Sequence, residues 1–152
     1  MRKFFIPLTT ALLFLISTSL FSQELTEKGG FSFDANEEHY FLFVLSNARP
    51  ADLPELRGEI TKYIWKHHAS AKLKITQIKV GGELETVPLI HLQSFPNKAG
   101  AMAFHQNLKK NRPDFLQMGM TVDYFPLSKS NYEKVLRAKS LKGYKPFFQQ
   151  NY

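Results

Sequence analysis

The run His39–Leu45, HYFLFVL, restricts the fold more than any other stretch of the chain. Successive residues of a strand point to opposite faces, and both sets here are apolar: Tyr40, Leu42 and Val44 on one side, Phe41, Phe43 and Leu45 on the other. A strand of that pattern has to be covered on both faces, which predicts a central strand in a sheet with a layer on each side.

The neighbouring segments supply candidates for the layers. Asp52, followed by Pro54 and Glu55, has the make-up of a helix start. Leu53, Leu56, Ile60, Tyr63, Ile64 and His67 then recur at helical spacing, predicting an amphipathic helix over Leu53–His68. Residues 72–80 (KLKITQIKV) and 86–95 (TVPLIHLQSF) read as strands joined by a turn at Gly81 and Gly82, where a positive φ carries no side-chain strain. Pro88 cannot donate to a ladder and belongs near a strand start or at a bulge. Asn97 caps a second helix in which Ala101, Phe104, His105 and Leu108 share a face, and Arg112-Pro113 stops it. Residues 121–125 (TVDYF) form a short last strand, and Ser130 with Glu133 makes a capping box for a third helix. Residues 144–152 (YKPFFQQNY) end the chain with four aromatics, Tyr144, Phe147, Phe148 and Tyr152. The order is βαββαβ, the ferredoxin-like plan: an α+β fold whose antiparallel sheet carries both helices on one face, here with an added C-terminal helix and aromatic tail. The second face needs its own cover, and that tail structure is the nearest source of it.

At the other end, Arg2 and Lys3 precede an apolar run that closes in small and polar residues around Ser19, Ser22 and Gln23, the pattern of a secretory signal peptide over residues 1–22. An uncleaved anchor is the alternative, but Pro7, Thr9, Thr10, Ser17, Thr18 and Ser19 interrupt the run and make it a poor span. Cleavage after Ser22 removes two of the 20 basic residues, so eighteen face 13 acidic ones and the net charge falls to +5. Residues 23–38 hold charges and Gly29-Gly30 without a sustained period, predicting a flexible leader before a domain over residues 39–152. Export places the chain in the periplasm or outside the cell, away from nucleic acid, and the spread of its basic residues is that of a solvated surface, with attraction to anionic cell-wall polymer or lipid as the alternative. The chain has no cysteine, which rules out a disulfide scaffold, a cysteine nucleophile, a thiolate zinc site and an acylated lipoprotein cysteine. No stable membrane anchor is predicted after signal cleavage.

Few residues suggest chemistry. His67 and His68 are adjacent and cannot share one ion, and His39, His91 and His105 lack short ligand spacing, so neither a metal nor another cofactor is predicted. Most carboxylates fall in the leader, in the turn at Glu83 and Glu85, or at helix starts, and no nucleophile elbow or phosphate loop is present, so the chain reads as non-enzymatic. The strand over residues 86–95 is more informative, because His91 and Gln93 share one parity and Ile90 and Leu92 the other. With Phe41 or Phe43, His91 and Gln93 would form an aromatic and amide surface suited to a sugar or a peptide. The competing and favoured reading is that Tyr144, Phe147 and Phe148 of the tail cover these positions, since a segment of the same chain pays no association entropy.

The C-terminal half carries a resemblance. PLIHLQSFPNKAGAMAFHQNLKK, TVDYFPLSKSNYEKVL and LKGYKPFFQQNY resemble the module that ends the large tetratricopeptide lipoproteins of gliding motility and type IX secretion in Bacteroidetes. The matching positions are Phe95, Asn97, Ala101, Phe125, Leu127, Ser128, Asn131, Tyr132, Tyr144, Phe147, Phe148, Asn151 and Tyr152, within a likeness over residues 38–152. The chain has no tetratricopeptide array and no lipoprotein cysteine, so lipid anchoring and the scaffold role do not carry over. The resemblance implies a stand-alone envelope module that binds other envelope proteins. A looser similarity, over residues 87–125, is to the sporulation-related repeat, a ferredoxin-like domain that binds peptidoglycan glycan strands. It implies peptidoglycan as the alternative partner, and a small periplasmic enzyme is the third reading.

Overall fold

The computed structural model describes residues 30–152; the predicted signal peptide and residues 23–29 of the predicted leader lie outside them. β1 (His39–Leu45) has every residue buried, as its double-sided pattern demands. It pairs antiparallel with β3 (Leu89–Phe95) and with β4 (Thr121–Ser128), and β2 (Lys74–Ile78) pairs with β3, giving the order β2-β3-β1-β4. With α1 (Leu53–His68) and α2 (Lys98–Asn111) as its two crossovers, this is the α+β, ferredoxin-like arrangement. A single turn, α3 (Asp114–Gln117), precedes β4, and α4 (Lys129–Ala138) and α5 (Tyr144–Asn151) complete the chain.

Two cores flank the sheet. Phe41, Phe43, Ile90, Leu92 and Phe95 meet Leu56, Ile60, Tyr63 and Ile64 of α1 and Ala101, Phe104 and Leu108 of α2. Tyr40, Leu42, Val44, Leu89, Phe125 and Leu127 meet Tyr132 and Val135 of α4 and Tyr144 of α5. His67, predicted on the buried face of α1, is exposed. It follows the last inward residue, Ile64, by three places, where the helix has already run past the core.

Several local expectations are corrected by long-range contacts. β4 continues three residues past Phe125, through Pro126. It can do so because β4 is an edge: β1 residues 41, 43 and 45 turn their backbone groups to β3, so Pro126, opposite Phe41, turns its missing N–H outward. The link from β2 to β3 is not a tight hairpin at Gly81 and Gly82. It spans residues 79–88 around a 3₁₀ turn, Gly82–Leu84, because Val80 and Leu84 drop into the second core. Gly82 has φ +67°, and a Cβ there would stand 2.8 Å from Cβ of Lys139, so the glycine serves both conformation and space.

Capping follows prediction only at Asn97, whose Oδ1 accepts from Gly100 N at 3.0 Å. The Asp52 carboxylate instead accepts from the Arg49 backbone N, Nε and Nη2. Ser128, not Ser130, caps α4, accepting from Asn131 N. Ser130 lies inside the first turn, where its N and Oγ donate to Glu37 at 2.6 and 2.9 Å.

Glu37 belongs to the segment predicted as a flexible leader, and from Phe31 onward that segment is packed. Phe31 meets Tyr144 edge-on at 5.0 Å, Lys98 N donates to Ala35 O, and Lys129 N donates to Glu38 O. Asn131, fully buried, binds Ser32 through both ends of its amide: Oδ1 accepts from Ser32 N at 2.9 Å and Nδ2 donates to Ser32 O at 2.7 Å. Replacing Asn131 with Ala leaves both Ser32 groups without a partner. The expected cost is about 2 kcal/mol, read as a lower urea midpoint together with faster hydrogen exchange at the Ser32 amide.

Candidate functional site

The side chains singled out by sequence are not brought together. Residues directly opposite in a ladder share a face, and the β1–β3 register sets Leu42 opposite His91, Phe41 opposite Leu92 and Phe43 opposite Ile90. His91 therefore lies on the second face and Phe41 and Phe43 on the first, where α1 and α2 bury them completely. The predicted surface of Phe41, Phe43, His91 and Gln93 does not exist. Gln93 is half-buried near the end of β3, opposite Lys74.

His91 is 2% exposed. Tyr132 of α4 stacks on it at 4.4 Å between centroids, Tyr40 meets it edge-on at 4.8 Å, and the Tyr132 hydroxyl stands 3.4 Å from Nδ1. Nε2 has no partner among the described residues. Burial pushes the ring's pKa down to about 4, so it is neutral at pH 7. His105 of α2 is held to about 4 as well, first by burial and then by Lys109, against smaller opposing pulls from Asp123 and the Tyr124 backbone.

The cover on the second face is thus shared. Tyr132 closes over β3, whereas the tail closes over β4. Tyr144 is fully buried, packs on Phe125 at 4.9 Å and donates from its hydroxyl to Pro126 O at 2.7 Å. Phe147 packs beside Phe31, and Phe148 stands between Phe125 and His105. The Tyr152 hydroxyl lies 2.7 Å from Nε2 of the buried His39, whose Nδ1 is 2.7 Å from Glu37 O. A carbonyl can only accept, so Nδ1 of His39 carries the proton and Nε2 accepts from Tyr152. Burial holds the His39 pKa below the usual histidine range, against the raising effect of Glu37. The polar atoms of this end are satisfied internally, and they present no open reactive pair.

Among the described residues, no three histidines, aspartates or glutamates are placed to hold a metal, and no helix is long and apolar enough to cross a membrane. Among the described residues, Phe33, Met118 and Val122 are exposed large apolar side chains, and the most exposed of all is Trp65 of α1, at 76% and the only tryptophan of the chain. The pattern that buries Leu56, Ile60, Tyr63 and Ile64 points position 65 to solvent, beside Thr61 and Lys62 of the preceding turn. Reading only the apolar stripe for helix periodicity passes over this residue, yet a tryptophan off the stripe is the signal that finds it. Between Glu59 and Glu83 the chain has no acid, while Lys62, Lys66, Lys72, Lys74 and Lys79 all lie there; Lys62 is paired with Glu59 at 2.6 Å. A groove of about 210 Å³ opens at the end of this stretch, walled by Pro50, Leu53, Pro54 and Pro88 and bordered by Gln77, Lys79 and the acidic Glu85. The chain matches no family model, no curated protein and no solved structure.

Proposed function

We propose that this chain is an exported protein-interaction module of the bacterial envelope, acting in the periplasm or outside the cell and without enzymatic activity. The observation that carries the reading is Trp65, 76% exposed beside lysines and the most exposed large apolar side chain among the described residues. A large flat side chain kept in water is the kind of residue that anchors protein interfaces. Type IX secretion or gliding is the process in which we place it, on the C-terminal pattern from Phe95 to Tyr152.

The peptidoglycan reading is less well supported. A glycan strand needs an open face of aromatic and amide groups, and His91 lies beneath Tyr132 and Tyr40. The test is chemical cross-linking of the full chain in intact envelopes. Trp65→Ala is expected to weaken the principal cross-linked adduct by about 30-fold or more in affinity, the effect of losing an interface anchor of about 2 kcal/mol. Its unfolding free energy in urea should stay within about 0.5 kcal/mol of the parent's, because the ring is in solvent. Binding should also shift Trp65 fluorescence to the blue, an unambiguous report in a chain with a single tryptophan. An adduct indifferent to Trp65, or enrichment of the chain on purified sacculi, would overturn the proposal.

A further inference from the structure

The two edges of the sheet are treated differently. β4 is closed by Pro126, whose carbonyl is taken by Tyr144, and by the tail packed along it. Among the described residues, no strand pairs with the outer side of β2. Leu45 N donates to Pro88 O, so β3 residues 88, 90 and 92 turn their backbone groups to β1, and residues 89, 91 and 93 turn theirs to β2. Their partners Ile78, Thr76 and Lys74 complete the ladder, which leaves the N–H and C=O of Ile75 and Gln77 directed outward. No hydrogen bond from another element of the described residues reaches either one.

Proteins usually blunt such an edge with short length, bulges or charge, because bare strand groups recruit another strand. Here lysines flank the edge, Lys72 and Lys74 before Ile75 and Lys79 after Gln77, and the proline-walled groove borders it at Gln77 and Lys79, with Glu85 as the one acid on its rim against these three lysines. We infer that β2 is the docking edge for an extended acidic segment of a partner protein, added as a fifth strand and placing one apolar side chain in the groove. This rests on the interaction-module reading and names its site. Charge selects the occupant. Two copies paired through β2 would bring Lys72, Lys74 and Lys79 of each alongside the other's, a repulsive arrangement. A lipid surface would meet the lysines but leave the Ile75 and Gln77 backbone groups unpaired.

The experiment uses the ¹⁵N-labelled full chain and three short peptides: alternating Glu and Val around a central Leu, the same with Lys for Glu, and the Glu form N-methylated on alternate residues. The Glu peptide is expected to slow amide exchange at Ile75 and Gln77 by about ten-fold or more at saturation and to bind about ten-fold tighter than the Lys peptide. The N-methylated form should give neither effect. Gln77→Pro should abolish binding, since its N–H is outside the ladder. The combined Lys72→Glu, Lys74→Glu and Lys79→Glu variant should prefer the Lys peptide, and it decides the matter should the proline variant not fold. Binding without protection at Ile75 and Gln77, absence of a charge preference, or protection that appears with self-association alone would each overturn the assignment. If the edge fails while the Trp65-dependent adduct persists, the module reading stands; loss of that adduct removes the reading itself.

Discussion

Truncating the chain before Tyr144 is expected to replace a cooperative unfolding transition with a broad, gradual one. Tyr144 is fully buried and touches Phe31, Phe125 and Phe147, while its hydroxyl satisfies an edge carbonyl at Pro126. Removing the tail also takes away Phe148 and the Tyr152 hydroxyl that His39 accepts from, and it unroofs Phe125 and Leu127. Losing one fully buried ring costs about 3–5 kcal/mol by itself, against a total stability of about 5–15 kcal/mol for a domain of this kind. Tyr144→Ala alone should therefore lower the urea midpoint sharply, while Tyr144→Phe, which keeps the ring and loses one hydrogen bond to Pro126, should cost about 1 kcal/mol. Near-ultraviolet circular dichroism and dye binding to exposed apolar surface would report the loosened second core. A truncated chain with the parent's sharp transition and midpoint would show that α4 suffices as cover and that the tail is dispensable.

Acid should destabilise the protein well before its carboxylates titrate. In the unfolded chain histidine takes a proton near pH 6.5, whereas His91 and His105 in the fold take one only near pH 4 because burial opposes the charge. Between those values the unfolded state binds more protons, so stability is fully present above pH 6.5 and is lost as pH falls through about 4. Each ring accounts for a loss on the order of 3 kcal/mol by the end of that window. His39, depressed in the same direction, adds to it, and protonating its Nε2 would also force the bond with the Tyr152 hydroxyl to reverse its direction. The lowered pKa of Glu38 acts at lower pH, below the carboxylate's ordinary value of 4.5. The expected result is a urea midpoint that is flat above neutrality and falls steeply toward pH 4. His91→Phe should flatten that fall, since the ring stack on Tyr132 and Tyr40 survives while the titrating atoms go. The idea fails if the midpoint is the same at both ends of the window.

How far the fold can be read from sequence is clear element by element. The double-sided pattern of His39–Leu45 identified β1 as central, and the stripe from Leu53 to Ile64 identified α1, because both are repeats within one element. The requirement for a second covering layer followed from the same strand, and Tyr144 meets it in part. The cap at Ser130 and the part of the predicted flexible leader from Phe31 onward were misread for a common reason. Their true partners, Glu37 to Ser130 and Asn131 to Ser32, lie 93 and 99 residues away, and no local pattern records them.

The candidate site was misassembled at a similar point. Alternation correctly separated His91 and Gln93 from Ile90 and Leu92, and Phe41 and Phe43 from Tyr40 and Leu42. It could not say which set of one strand joins which set of the other. That is decided by register, and a slip of one residue exchanges the faces. The pairing of Leu42 with His91 put the histidine under Tyr132 instead of beside the phenylalanines, so the face is covered, as the favoured reading had it, but over His91 by α4 and not by the tail. The sequence by itself determined which residues of each element share a side, since backbone geometry repeats locally. Only the tertiary structure decided which sides meet and which edge stays bare, because those outcomes depend on distant segments competing to fill the same space.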